Sequence, residues 1–175
     1  MDALRVAILT VSDGVAAGTR EDRSGTAIAG WTRERAYELV RHDVLPDDVV
    51  AVSRALIDLA DVAGVDVVLT TGGTGFTERD VTPEATLAVI DRVVPGIPEA
   101  IRARGAASTP FAWLSRALAG IRGRTLIVNL PGSESGVRDG LAVLDTLVEH
   151  AVQLLRGQDT ATHRPPAAAG AQSNG

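Results

Sequence analysis

Three short apolar segments, each running straight into a small polar loop, constrain this chain more than any other feature in it. Leu4 to Val11 leads into Ser12-Asp13-Gly14, Val65 to Thr71 into Gly72-Gly73-Thr74-Gly75, and Arg124 to Asn129 into Pro131-Gly132-Ser133. Runs of β-branched and aliphatic residues of this length read as strands buried on both faces. Between them, apolar periodicity predicts helices over Thr26 to Val40, Ser53 to Val62, Pro83 to Val93 and Ile97 to Arg104, and a last one from Gly136 to Leu155. A further strand is expected within Tyr37 to Leu45, its limits blurred by His42 and Asp43. Strands alternating with helices imply right-handed βαβ crossovers and an α/β fold, a three-layer sandwich around a mostly parallel sheet. Ligands of such sheets sit outside the carboxyl ends of the strands, so the three loops should converge on one edge and share a site.

The middle loop carries the clearest chemistry. Its glycines let backbone N–H groups approach an anion with no Cβ in the way, and Thr70, Thr71 and Thr74 add hydroxyl donors. Thr82 is placed to cap the next helix, with Pro83 at its first position and Glu84 complementing its dipole. Asp80, five residues past Gly75, is either a hard oxygen ligand for a Mg²⁺ that bridges phosphates or a helix-leading surface carboxylate. Asp47, in Leu45-Pro46-Asp47-Asp48, reads locally as an ordinary turn and helix start. Asp13 suits a ligand contact or an Asx-type turn, and the Asn129 amide suits a heterocycle or a brace on Pro131-Gly132. Glu21, Asp22 and Arg23 read as a solvated face, although Ser24-Gly25 before a helix suits an anion. His42, His150 and His163 lack metal-ligand spacing and are expected to have no catalytic role, while Phe111 and Trp113 are expected to pack on the sheet or on a neighbouring subunit.

Composition narrows the function classes. With 175 residues, 18.1 kDa and 45% hydrophobic content, the chain suits one domain, taken as residues 1–157. An Ala-, Pro-, Gly- and Ser-rich tail over residues 158–175 is expected to be disordered. A net charge of -5 and a pI near 5.1 argue against nucleic-acid binding, so any phosphate recognised belongs to a small molecule. Cysteine is absent, which excludes disulfides and thiolate chemistry; lysine is absent too, which excludes a Schiff base and a G-x-x-x-x-G-K-[ST] loop. Neither a secretory signal nor an apolar run of membrane-spanning length is present in the sequence, and a cytoplasmic protein is expected.

Six motifs occur in order: Thr10-Val11-Ser12-Asp13, Asp22-Arg23-Ser24-Gly25, Leu45-Pro46-Asp47-Asp48, Thr70 to Gly75, Arg79-Asp80-Val81-Thr82-Pro83-Glu84-Ala85 and Asn129-Leu130-Pro131-Gly132-Ser133. In these motifs the chain resembles the molybdenum cofactor biosynthesis family that includes molybdopterin adenylyltransferases and the corresponding domain of gephyrin-like fusion proteins. The resemblance implies a molybdopterin-binding-like α/β domain that forms homotrimers. It also implies a reaction in which the terminal phosphate of molybdopterin attacks the α-phosphorus of Mg-ATP to give adenylylated molybdopterin and pyrophosphate. By the same resemblance Asp47 and Asp80 are the catalytic and metal-binding acids, Gly72, Gly73, Thr74 and Gly75 form the nucleotide-phosphate loop, and Ser12, Asp13, Asn129, Pro131, Gly132 and Ser133 form the pterin side. The downstream molybdenum-insertion enzyme is a candidate partner, and a catalytically silent pterin- or nucleotide-binding carrier of the same family is the alternative function. Many relatives continue Asn-Leu-Pro-Gly-Ser with Pro-Lys, where this chain has Glu134-Ser135; Arg138, Arg116 or an arginine of another subunit would then have to meet the pterin phosphate.

Overall fold

The computed structural model describes residues 3–157; the expected tail lies outside the described residues. Six strands form one sheet in the order β2-β1-β3-β6-β5-β4: β1 (Arg5–Val11), β2 (Glu38–Leu45), β3 (Val67–Thr71), β4 (Arg92–Val93), β5 (Ala119–Arg122) and β6 (Thr125–Leu130). Pairings β1/β2, β1/β3 and β3/β6 are parallel, whereas β5 joins β6, and β4 joins β5, antiparallel. The chain leaves β1 for β2 on one side and returns to β3 on the other, so a topological switch point lies between the carboxyl ends of β1 and β3.

Side-chain alternation along the three central strands builds two cores. Val6 and Ile8 of β1, Leu69 of β3 and Leu126, Val128 and Leu130 of β6 face one layer. That layer contains α2 (Arg23–Glu34), α5 (Gly96–Ala106), α6 (Glu134–Leu144) and α7 (Val148–Leu155), through Ile28, Trp31, Ile101, Leu141, Leu144 and Val152. Ala7, Leu9 and Val11, with Val68 and Ile127, face the other layer, where α3 (Val49–Ile57) and α4 (Thr82–Leu87) contribute Val52, Leu56 and Ala85. The expected three-layer α/β sandwich is therefore present. Each such Leu or Ile taken from water contributes about 1.5–3 kcal/mol, which makes the double-faced strands the main source of cohesion.

Several expected elements end elsewhere, each because a non-local partner intervenes. The helix foreseen to Val40 stops at Glu34, because Ala36 adopts φ 55° and the chain then joins β1 as β2. The helix foreseen from Ser53 starts at Val49, where the Asp48 carboxylate accepts from the N–H of Ala51 (2.7 Å), and it runs into a π-turn over Asp58–Val62. The helix foreseen from Pro83 to Val93 ends at Leu87, since Asp91 and Val94 donate instead to Ile121 and Ala119 of β5. The apolar stretch after Arg116 forms the β5–β6 hairpin, and the long final helix breaks into α6 and α7 around Asp145, whose carboxylate accepts from Trp31 Nε1 (2.6 Å) and Arg35 (2.5 Å).

At the amino ends of the strands, Asp66 accepts the backbone N–H of Arg5 (2.8 Å) and both Nε and Nη2 of Arg156 (2.9 and 2.6 Å). Among the described residues no helix is long and apolar enough to cross a membrane.

Candidate functional site

The three polar loops do converge at the carboxyl ends of β1, β3 and β6, and they wall a polar cleft of about 560 Å³. Gly72 and Gly73 take φ 92° and 63°, conformations that glycine adopts without a Cβ penalty. At Gly72 a Cβ would stand 2.2 Å from the carbonyl oxygen of Val11, so only glycine lets the loop cross the end of β1. Thr82 is not the cap foreseen for α4. It is the first helical residue, and its hydroxyl donates to the carbonyl of Gly72 (2.9 Å) while its N–H donates to that of Gly73 (3.0 Å).

The neighbouring loops are held by hydroxyls reaching across the fold. Thr71 Oγ1 donates to the Pro131 carbonyl and Ser24 Oγ to the Gly132 carbonyl, each at 2.7 Å. Ser12 caps the four-residue α1 (Asp13–Ala16), accepting from Val15, and Ser133 caps α6, accepting from Gly136. The loops thus present positioned helix starts at the cleft.

Asp13 and Asp47 form a reciprocal pair: the N–H of Asp13 donates to Asp47 Oδ2 (2.9 Å) and the N–H of Asp47 to Asp13 Oδ1 (3.0 Å). Arg79 grips Asp13 Oδ2 through Nε and Nη2 at 3.0 and 2.6 Å, and this fork, with the Asp47 backbone bond, holds the Asp13 carboxyl below the usual carboxylate range. Asp47 Oδ1 lies beside Gly73, 3.2 Å from where a Cβ would be. For Asp80, burial pushes the pKa up, yet bonds from the Thr77 hydroxyl (2.6 Å) and the N–H groups of Gly75 and Thr77, with the nearby Arg116, outweigh it and lower the pKa. Asp80 therefore stands at the cleft wall with its ionised form favoured.

The foreseen residues divide between two neighbouring clefts. Ser12, Asp47, Asp80, Gly72, Gly73, Gly132 and Ser133 line the polar one. Thr74, Gly75, Pro131 and again Ser133 line a second cleft of about 550 Å³, walled by apolar groups such as Ile101, Phe111 and Leu114. Asp13 lines neither, its carboxylate being held by Arg79 and the Asp47 N–H, and Asn129 enters neither. It is fully buried, its Nδ2 donates to the hydroxyls of Thr70 (3.0 Å) and Thr86 (2.9 Å), and its Oδ1 accepts from Leu118 N (3.1 Å). Its amide braces β6 against β3, α4 and Leu118 just before β5, and bonds no group of the Pro131-Gly132 turn.

Of the arginines named as alternatives for meeting the pterin phosphate, Arg116 is engaged with Gly75, Asp80 and Glu84, and Arg138 pairs with Glu134 at 2.8 Å. Asp22 is no solvated-face residue. With a side chain only 15% exposed, it caps α2 through Gly25 N (2.7 Å), accepts from the Thr10 hydroxyl (2.7 Å) and meets His42 Nε2 at 3.0 Å. Its three-residue offset from Gly25 was the available signal, since a cap carboxylate reaches the N–H at that spacing. Arg20, Arg23 and Arg79 also line the polar cleft, and sequence reasoning gave none of them a role there.

A mostly parallel sheet with a glycine loop, two carboxylates and converging helix starts at its switch point defines a class: an α/β domain built to hold a phosphorylated small molecule. A family model described as "Probable molybdopterin binding domain" matches residues 7–150, and the chain belongs to this molybdenum cofactor biosynthesis family. It is 35% identical over 159 residues to the molybdopterin adenylyltransferase of Helicobacter pylori strain J99, covering 90% of each chain. A molybdenum cofactor biosynthesis bifunctional protein of Synechococcus elongatus is 39% identical over 155 residues; these make up 89% of this chain but span only about half, 48%, of that relative. Among solved structures, the molybdopterin biosynthesis enzyme MoaB from Thermus thermophilus superposes with a TM-score of 0.83 at 44% identity, over 88% of this chain and 97% of that one.

Proposed function

We propose that the protein is a molybdopterin adenylyltransferase, which activates molybdopterin with ATP. The observation that carries this reading is the meeting of Asp47 and Asp80 with the Gly72-Gly73 turn in one polar cleft. In-line transfer needs positioning and charge neutralisation rather than a covalent nucleophile on the protein. A terminal phosphate oxygen of molybdopterin attacks the α-phosphorus of ATP, the bond to the β-phosphate oxygen breaks, and pyrophosphate leaves.

The Gly72-Gly73 turn, with Arg20 and Arg23 beside it, receives the triphosphate, and Thr74 and Gly75 carry the same loop on to the apolar cleft. Ser12, Pro131, Gly132 and Ser133 face the incoming pterin phosphate, and Asp13 acts through its hold on Asp47. The apolar cleft beside Thr74 and Pro131 offers the flat ring a surface. Among the described residues no group of three or more Asp, Glu or His stands ready to hold a metal alone. Two carboxylates on one cleft wall suit Mg²⁺, which is commonly held by one or two carboxylates together with substrate phosphates. Asp80, with Asp47, would hold it, and when bound it supplies charge neutralisation at the phosphates.

Pyrophosphate release from molybdopterin and Mg-ATP tests the reading. Asp80→Asn should lower turnover by about 100-fold, the scale of one lost electrostatic contact, with an unchanged melting temperature. Full activity in that variant would remove Asp80 from the site. Glu134 at the cleft wall keeps a second reading in view, the silent carrier, which would bind molybdopterin and release no pyrophosphate. The homotrimer, a cytoplasmic location and docking of the downstream molybdenum-insertion enzyme belong to the same proposal.

A further inference from the structure

Arg116 is the most heavily committed cation near the site, and nothing in the transfer chemistry itself uses it. Its Nε donates to the Gly75 carbonyl (2.6 Å), its Nη2 to the Asp80 carbonyl (2.5 Å), and both terminal nitrogens meet the Glu84 carboxylate in the first turn of α4. Its own N–H donates to the Thr74 carbonyl (2.9 Å). One residue therefore fixes the end of the phosphate loop, the residue carrying the Asp80 carboxylate, and the helix that follows. The segment Phe76 to Arg79 hangs between two carbonyls anchored on the same guanidinium, whose planar fork sets their separation.

The backbone on either side of Arg116 belongs to the other cleft. Leu114 and Ser115 line the apolar cleft, together with Thr74 and Gly75, and Arg102 from α5 holds the carbonyls of Ser115 and Ala117 at 3.2 Å each. A strap of three residues thus has the apolar cleft on one side and the phosphate loop on the other. A ligand that presses on Leu114 and Ser115 acts on the residue that sets Gly75 and Asp80.

We infer that Arg116 is a positioning residue that couples occupation of the apolar cleft to the placement of the Asp80 carboxylate, so that the loop is set for transfer when the second substrate is seated. This rests on the adenylyl-transfer reading above. Coupling of this kind is reciprocal: molybdopterin must tighten nucleotide binding by the factor with which nucleotide tightens molybdopterin.

The test is calorimetric titration of the full chain with Mg²⁺ and α,β-methylene-ATP, which cannot donate its adenylyl group, with and without saturating molybdopterin. Turnover is measured in parallel. Wild-type protein should bind the analogue about fivefold or more tighter when molybdopterin is present. Arg116→Ala should bind each ligand alone, lose the tightening, and show a kcat lower by about 100-fold, the scale of a small misplacement of reacting groups. Arg116→Lys, which keeps the charge but not the fork, should recover part of the coupling. If the Ala variant fails to fold, the Lys variant decides. Full coupling in either folded variant, or none in the wild type, overturns the inference. Wild-type coupling without pyrophosphate release would instead overturn the adenylyl-transfer reading and leave the strap standing.

Discussion

Gly72 is the residue on which the geometry of the cleft turns. Its φ of 92° and its approach to the Val11 carbonyl each exclude a side chain, so Gly72→Ala must either shift β1 or reopen the loop. The expected cost is about 3 kcal/mol, read as a lower denaturant midpoint at unchanged slope. A loss within error would mean that the loop has room to relax. This glycine was legible in the sequence because a strand, glycines and a carboxylate follow one another there. Thr82 and Asn129 were not, because their decisive partners are non-local: Gly72 for the first, Thr70, Thr86 and Leu118 for the second; for Asp22 the spacing signalled the cap on Gly25 but not the bonds to Thr10 and His42. A hydroxyl, an amide or a carboxylate carries no local sign of which distant group it will meet.

Among the elements, the junction of α2, β2 and α7 offers a direct optical test. Tyr37 packs edge-to-face on Trp31 at 5.4 Å, and its phenol donates to Glu149 on α7 at 2.8 Å. Burial first, then the bond to Glu149, push its pKa up to about 12. It is the single tyrosine of the chain, so absorbance near 295 nm reports it alone. The neutral phenol is the form the fold favours, so its stabilisation is fully present below the unfolded value of about 10 and is lost as pH rises towards 12. A midpoint near 10 in folded protein would remove the α7 contact. The central strands were legible because they are apolar on both faces, and α5 because its pattern is uninterrupted. The short strands β4 and β5 were not, since Arg92-Val93 and Ala119 to Arg122 become strands only through bonds to each other and to β6.

For the whole molecule, the order of elements pointed to the sheet and to the edge where its loops meet, but not to the division of that edge into a polar and an apolar cleft. That division depends on how α5, α6 and the 3₁₀ helix Pro110–Leu114 lean together. Phe111 and Trp113, on that short helix, are 74% and 57% exposed, so packing on the chain's own sheet does not account for them. Light scattering should give three times the 18.1 kDa chain mass, and Trp113→Arg should lower it; a clean wild-type monomer would remove the proposed trimer. The carboxylate of Asp66, gripped by Arg5 near one end of the described fold and by Arg156 near the other, sits at the opposite pole of the sheet from the cleft. Residues near both ends of the described fold therefore share one anchor. A neighbour joined to the described fold at that pole would leave the cleft facing outward, on the side where a small molecule has to enter.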